Sequence, residues 1–86
     1  MRVRVSKRDG RYLFSDDGAA VQAAGRAPGW LEAARAVAEV RGLNLGRNGA
    51  VSVPATSERG LSWLAALPER VAECSAAVYS ALLELD

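Results

Sequence analysis

The stretch that sets the fold reads RVRVSKRDGRYLF and spans residues 2–14. Valine alternates with charged residues at its start, which is typical of a strand with one buried face. The Asp-Gly pair at 9–10 is a strong signal for a two-residue hairpin turn, and a turn of that length pairs Arg8 with Arg11. The sequence therefore predicts an N-terminal β-hairpin with two chemically different faces.

The side-chain alternation of this hairpin separates apolar from basic residues. Residues directly opposite each other in an antiparallel pair lie on the same face, so the predicted register assigns every side chain to one face. The predicted inner face carries Val3, Val5, Tyr12 and Phe14, and the outer face carries Arg2, Arg4, Ser6, Arg8 and Arg11, with Leu13 as an apolar exception.

A second hairpin is predicted in LNLGRNGAVSV, residues 43–53. A two-residue loop would place apolar residues opposite polar ones. A three-residue loop over 47–49 instead sets Leu45 opposite Val51 and Leu43 opposite Val53, with Gly49 at positive φ. We therefore predict the longer loop.

Helical sequence follows each hairpin. A short helix is predicted from Ser15-Asp16-Asp17 to about Ala24, and a second from Pro28 to a C-cap at Gly42. After the second hairpin, one helix is predicted to begin at Thr56 or Ser57, and Pro68 is predicted to start another. The last helix has an apolar stripe of Val71, Cys74, Val78, Leu82 and Leu85.

The elements predict the order ββααββαα in one domain, residues 1–86. This pattern favours an α+β fold in which a four-stranded antiparallel sheet carries its helices on one face. Matching offsets between the two halves suggest an internal duplication of 1–41 and 42–86, but hairpin turns and helix-initial prolines are common enough to coincide by chance. An alternative is a winged helix-turn-helix with helices at 16–24 and 28–41 and a wing at 43–53.

Composition excludes several classes of site. The 86 residues contain no His and one Cys, so His-containing metal sites and Ser-His-Asp or Cys-His catalysis are excluded. A lone Cys74 cannot close an intrachain disulfide, which favours a cytoplasmic location. Asp16 and Asp17 are interpreted as helix-start residues rather than Mg²⁺ ligands. No cofactor, metal, membrane span or enzymatic activity is predicted.

Charge is unevenly distributed along the chain. Residues 1–47 carry a net charge of +4 and residues 48–86 a net charge of −3. Arginine presents a planar fork to carboxylate or phosphate, so the basic hairpin is the main functional clue. Exposed aromatic rings, which single-stranded nucleic acid would need, are predicted on the opposite face.

These observations predict a small non-catalytic binding or regulatory protein, such as an inhibitor, an antitoxin-like partner or an assembly subunit. Its expected partner is a protein with an acidic surface, or a second copy of the chain docked through residues 68–85. Nucleic-acid binding by the hairpin is the alternative. The predicted partner-binding residues are Arg2, Arg4, Lys7, Arg8, Arg11, Tyr79 and Leu83.

Overall fold

The structure, a computed structural model, describes residues 3–56, 58 and 60–85. These residues form an α+β domain with elements in the order ββααββα. The strands are Arg4–Arg8 (β1), Arg11–Ser15 (β2), Asn44–Leu45 (β3) and Val51–Thr56 (β4), and the helices are Ala19–Ala24 (α1), Trp30–Val40 (α2) and Leu61–Leu83 (α3).

The four strands form one antiparallel sheet in the order β1-β2-β4-β3. The predicted register of the first hairpin is confirmed, because Arg8 pairs with Arg11 and Val5 with Phe14. Asp9 and Gly10 have φ angles of 51° and 76°. Two consecutive positive φ angles are the signature of the type I′ turn, whose twist matches that of the strands it joins.

The second hairpin also has the predicted loop. Leu45 pairs with Val51, the Gly46 N–H donates to the Ala50 carbonyl at 2.9 Å, and Gly49 has a φ of 90°. The strand β3 contains only Asn44 and Leu45, so the pairing predicted for residues 43 and 53 is not part of the ladder.

All three helices pack on the same side of the sheet, and α3 is the common partner of α1 and α2. α3 contacts both α1 and α2, and it also contacts β4 and β2. Four residues of its predicted stripe, Val71, Cys74, Val78 and Leu82, are buried, and Leu85 is half-buried. They meet a core that includes Phe14, Ala20, Val21, Ala34, Ala38, Leu43, Val51, Ala55 and Leu67.

The prediction of two helices in the C-terminal part is wrong. A single 23-residue helix runs through Pro68. Proline lacks the N–H that the Leu64 carbonyl would accept, which costs about 3 kcal/mol inside a helix. The helix nevertheless continues because Leu67 before the proline and Val71 after it are both buried in the same core.

This long helix also changes the comparison of the two halves. The order ββααββα replaces the predicted ββααββαα, so residues 42–86 contribute one helix where residues 1–41 contribute two. The winged helix-turn-helix alternative is not observed either. β4 is an interior strand paired with β2, so residues 43–53 belong to the main sheet rather than to a separate wing.

The helix ends differ in detail from those predicted. α1 begins at Ala19, not at Ser15-Asp16-Asp17, and its N-cap is Gly18 with a left-handed backbone. The N-cap of α2 is Gly29, one residue after Pro28. The C-cap of α2 is Arg41, one residue before the predicted Gly42. The N–H groups of Gly42 and Leu43 donate to the carbonyls of Glu39 and Ala38, which is the Schellman motif.

Candidate interaction surface

The face of the sheet turned away from the helices, called the outer face here, carries the arginines of the first hairpin. The register places Arg4 and Arg8 of β1 and Arg11 of β2 on it, and all three side chains are exposed. Arg2 lies outside the described residues. The strand positions that share the outer face with these arginines are Ser6, Leu13, Ser15, Asn44, Ser52, Pro54 and Thr56, and none of them is acidic.

Lys7 does not belong to this group. It pairs with Tyr12, so its side chain lies on the inner side of the sheet, and its ammonium nitrogen is 5.5 Å from the centre of the Tyr12 ring. A cation at this distance from an aromatic face is attracted by the ring. Lys7 is therefore exposed at the rim of the inner face rather than beside the arginines.

An apolar pair lies between the arginines. Leu13 is 42% exposed and pairs directly with Pro54 of β4, which is also exposed. A concavity of about 320 Å³ covers this pair, and its wall is formed by Ser6, Arg8, Arg11, Tyr12, Leu13 and Pro54. We call Leu13 and Pro54, together with Arg8 and Arg11, the Leu13–Pro54 patch.

A second concavity adjoins the first. It has a volume of about 410 Å³ and shares Arg11 and Pro54 with it. Trp63 of α3, a half-buried residue, forms part of its wall. Trp63 is therefore the aromatic residue of α3 that borders this end of the sheet.

The arginines differ in their ionic partners. Arg4 Nε lies 3.3 Å from Asp17 Oδ2, and both side chains are largely exposed. Among the residues that the structure describes, no carboxylate forms an ion pair with Arg8 or Arg11. Arg8 and Arg11 are thus available to an external anionic group, whereas Arg4 already has the Asp17 carboxylate beside it.

The two predicted contact residues of α3 lie elsewhere. Leu83 is 53% exposed, whereas Tyr79 is half-buried and packs against the core. Both belong to the helical layer, on the opposite side of the sheet from the outer face. The structure therefore does not bring them together with the arginines, and most of the apolar stripe of α3 is used in the protein's own core.

Asp16 forms a buried polar centre that the sequence did not reveal. It is 2% exposed, and its Oδ1 accepts hydrogen bonds from the N–H groups of Gly18 and Val51, both at 2.8 Å. Its Oδ2 accepts one from the Ser75 hydroxyl at 2.6 Å. These bonds join β2, α1, β4 and α3, so Asp16 holds the layers together.

Within the described part of the chain, no three potential metal-ligating side chains lie together.

Cys74 lies in the core next to this centre and is fully buried. Burial raises the pKa of its thiol because the thiolate loses hydration; Arg41 lowers this pKa and Asp16 raises it further. A neutral, buried thiol is a poor nucleophile. Cys74 therefore has the properties of a core residue.

We expect Cys74 to react with a thiol reagent such as 5,5′-dithiobis(2-nitrobenzoic acid) at least about 100-fold more slowly in the folded protein than in urea. Folding raises the pKa of this thiol, so the protonated thiol contributes to the free energy of unfolding. This contribution is fully present below the unfolded-state pKa and is lost as the pH rises through the folded-state pKa. Absorbance at 412 nm, the wavelength of the released thiolate, follows the reaction. Equal rates in both conditions would show that the thiol is accessible.

No helix in the described ranges is long and apolar enough to cross a membrane. Comparison of the chain with protein-family models, with curated proteins and with solved structures finds no significant match.

Proposed function

We propose that this chain is a small non-catalytic binding protein that regulates or completes a partner protein by covering an acidic surface on it. The observation that carries this proposal is the Leu13–Pro54 patch, in which an exposed apolar pair lies beside Arg8 and Arg11. Protein interfaces commonly have an apolar centre and a charged or polar rim, with arginine enriched. The patch has this composition.

The polarity of the two faces supports a protein rather than a nucleic acid as the partner. Tyr12 and Phe14 stack on each other on the inner face, with ring centres 6.4 Å apart, and Phe14 is buried. By register the rings of Tyr12 and Phe14 belong to the face opposite Arg8 and Arg11, and Tyr12 also borders the concavity of the outer face. Single-strand binders instead place several exposed rings on the same face as their basic groups. The exposed residue between the arginines is an aliphatic leucine.

The buried polar groups support a non-catalytic role. Both carboxylate oxygens of Asp16 already accept hydrogen bonds inside the core, and Ser75 donates one of them. Asp16, Ser75 and Cys74 are all buried, so this cluster is closed to substrate. Its geometry suits the attachment of α3 to the sheet.

The proposal predicts that partner capture depends on the outer face. Tagged wild-type protein is used to capture proteins from the source cells, and the captured protein is purified to measure its dissociation constant. Leu13→Thr retains a β-forming residue but removes apolar area, and we expect it to weaken binding about tenfold. Arg8→Glu/Arg11→Glu is expected to weaken it by about 100-fold or more.

The matched control is Arg35→Glu/Arg47→Glu, which makes the same change in net charge. Both arginines are exposed; Arg35 lies on α2, and Arg47 lies in the loop at the opposite end of the sheet from Arg8 and Arg11. This control should bind as the wild type does. Equal weakening by both double variants, or capture of nucleic acid with a steep loss of affinity in salt, would refute the proposed function.

A further inference from the structure

The edge strand β1 has an open side. It is the first strand in the order β1-β2-β4-β3, and all five of its residues are exposed. Val5 faces the same side of the sheet as the helices, yet it is 49% exposed. An open strand edge is a template for pairing with another extended segment. The side chains of β1 determine which kind of segment can pair with it.

The turn geometry shows which backbone groups point outwards. The two-residue type I′ turn makes Arg8 and Arg11 a hydrogen-bonded pair, and such pairs alternate with non-hydrogen-bonded ones along an antiparallel ladder. The N–H and C=O groups of Val5 and Lys7 therefore point to the open edge. A new strand would take its hydrogen bonds from these two residues.

Self-association through this edge is opposed by charge. When a second copy pairs antiparallel with all five residues of β1, Arg4 lies opposite Arg8 twice and Ser6 lies opposite its own copy. Like charges directly opposite each other destabilise a strand pair. Charged side chains on edge strands commonly oppose such pairing, and in this register they oppose pairing with a second copy.

The same charges attract an acidic strand. β1 contains three cations, Arg4, Lys7 and Arg8, and no acid. Arg4 and Arg8 would meet partner side chains on the outer face, and Lys7 would meet one on the inner face, where Val5 also offers an uncovered apolar surface. Discrimination between partners by attraction of one charge sign and repulsion of the other is a common source of specificity.

We propose that an acidic extended segment of the partner protein adds antiparallel to β1 as a fifth strand. This inference rests on the proposed function, because it names the segment through which an acidic partner would be held. In antiparallel pairing, the first residue of the partner segment lies opposite Arg8 and the fifth lies opposite Arg4. A complementary segment is Glu-Glu-Thr-Val-Glu. Its three acids lie opposite the three cations, its threonine lies opposite Ser6, and its valine covers Val5.

The test uses the wild-type protein and the synthetic peptide acetyl-Thr-Glu-Glu-Thr-Val-Glu-Thr-amide. Binding is followed by the amide NMR shifts of β1 and β2. A peptide with lysine in place of the three glutamates is the charge control, and we expect it to bind at least about tenfold more weakly.

Backbone N-methylation separates strand addition from other modes of docking. Methyl groups on the two peptide nitrogens that face Val5 and Lys7 remove hydrogen bonds to the edge, and we expect about 30-fold weaker binding. Methyl groups on the residues opposite Arg4, Ser6 and Arg8 point away from β1 and should change the affinity by less than about threefold.

A protein variant provides an independent check. Val5→Pro removes one outward N–H while leaving the hydrogen bonds between β1 and β2 in place, since proline is tolerated where the N–H faces away from the sheet. It should weaken peptide binding about fivefold. Arg35→Ala, an exposed change on α2 away from the edge strand, should leave peptide binding unchanged.

The outcomes separate this inference from the proposed function. Peptide binding that is lost in Leu13→Thr but is insensitive to N-methylation would refute strand addition and retain the Leu13–Pro54 patch as the contact. Equal binding of the lysine peptide, or no shift of the β1 amides at millimolar peptide, would also refute strand addition. A dimer seen by light scattering and abolished by Val5→Pro would assign the edge to a second copy instead. The capture experiment with the outer-face variants tests the proposed function in each case.

Discussion

Replacing Asp16 by Ala is expected to lower the free energy of unfolding by about 3–5 kcal/mol. The substitution would remove the acceptor that the N–H groups of Gly18 and Val51 now share, and it would also remove the hydrogen bond that the Ser75 hydroxyl donates to Asp16. Because Asp16 is 2% exposed, water cannot easily replace it. A domain of this size has about 4–13 kcal/mol of total stability, so a large share would be lost. Urea unfolding followed by circular dichroism measures the change.

The neighbouring Asp17 is a matched control. It is an exposed carboxylate whose ion pair with Arg4 is also exposed, so Asp17→Ala should cost no more than about 1 kcal/mol, most of it because alanine tolerates the φ of 54° at this position less well than aspartate does. Asp16→Asn retains one oxygen for the two N–H donors, so its loss of free energy of unfolding should lie between those of Asp16→Ala and Asp17→Ala. If Asp16→Ala and Asp17→Ala cost the same, the hydrogen bonds of Asp16 do not hold the layers together.

Gly49→Ala is expected to cost about 2–4 kcal/mol through two separate effects. Gly49 has a φ of 90°, a conformation that residues with a Cβ adopt only with strain. A Cβ at this position would also lie 2.7 Å from Cγ2 and 2.9 Å from Cβ of Val21. Val21 is fully buried on α1, so it has little room to move away. The same urea unfolding experiment measures the loss.

Two further variants separate strain from crowding. Gly10 has a similar φ of 76° but open space around its Cα, so Gly10→Ala should show only the backbone cost, about 1–2 kcal/mol. Val21→Ala combined with Gly49→Ala should destabilise by about 1 kcal/mol less than the sum of the single variants, because the smaller side chain relieves the contact. Equal costs for Gly49→Ala and Gly10→Ala would show that the close approach to Val21 has no energetic role.

The parts of the fold that sequence reasoning predicted best depend on local geometry. The turn residues Asp9 and Gly10 determine a register because side chains alternate with a period of two, and a shift by one residue would exchange the two faces. The same reasoning selected the three-residue loop before Gly49. The α+β class and the antiparallel sheet followed from these two hairpins.

The errors arose where tertiary packing outweighs local preference. Pro68 is a strong signal for the start of a helix, yet burial of Leu67 and Val71 on either side keeps one helix continuous. An acid that follows Ser15 is typical of a helix start, because the N-terminus of a helix favours negative charge. The true partners of Asp16 include Val51 and Ser75, which are distant in sequence, and no local pattern could indicate them.

The candidate surface was predicted in part for the same reason. Alternation correctly placed Arg4, Arg8 and Arg11 on one exposed face. The same alternation identifies Leu13 as an apolar exception on that face, but it does not identify Leu13 as a contact. Its pairing with Pro54 depends on β2 lying next to β4, which is a long-range arrangement that the hairpins alone do not specify.

The position of α3 as common partner of α1, α2 and β4 has a consequence for how the chain reaches its native state in the cell. Translation delivers this helix after the other elements described here, so the two hairpins and the first two helices leave the exit tunnel before their packing partner does. Short segments of that kind are marginal in water by themselves. We therefore expect native structure to form only once residues up to Leu82 have emerged, and ribosome-bound nascent chains that end before α3 should remain sensitive to protease.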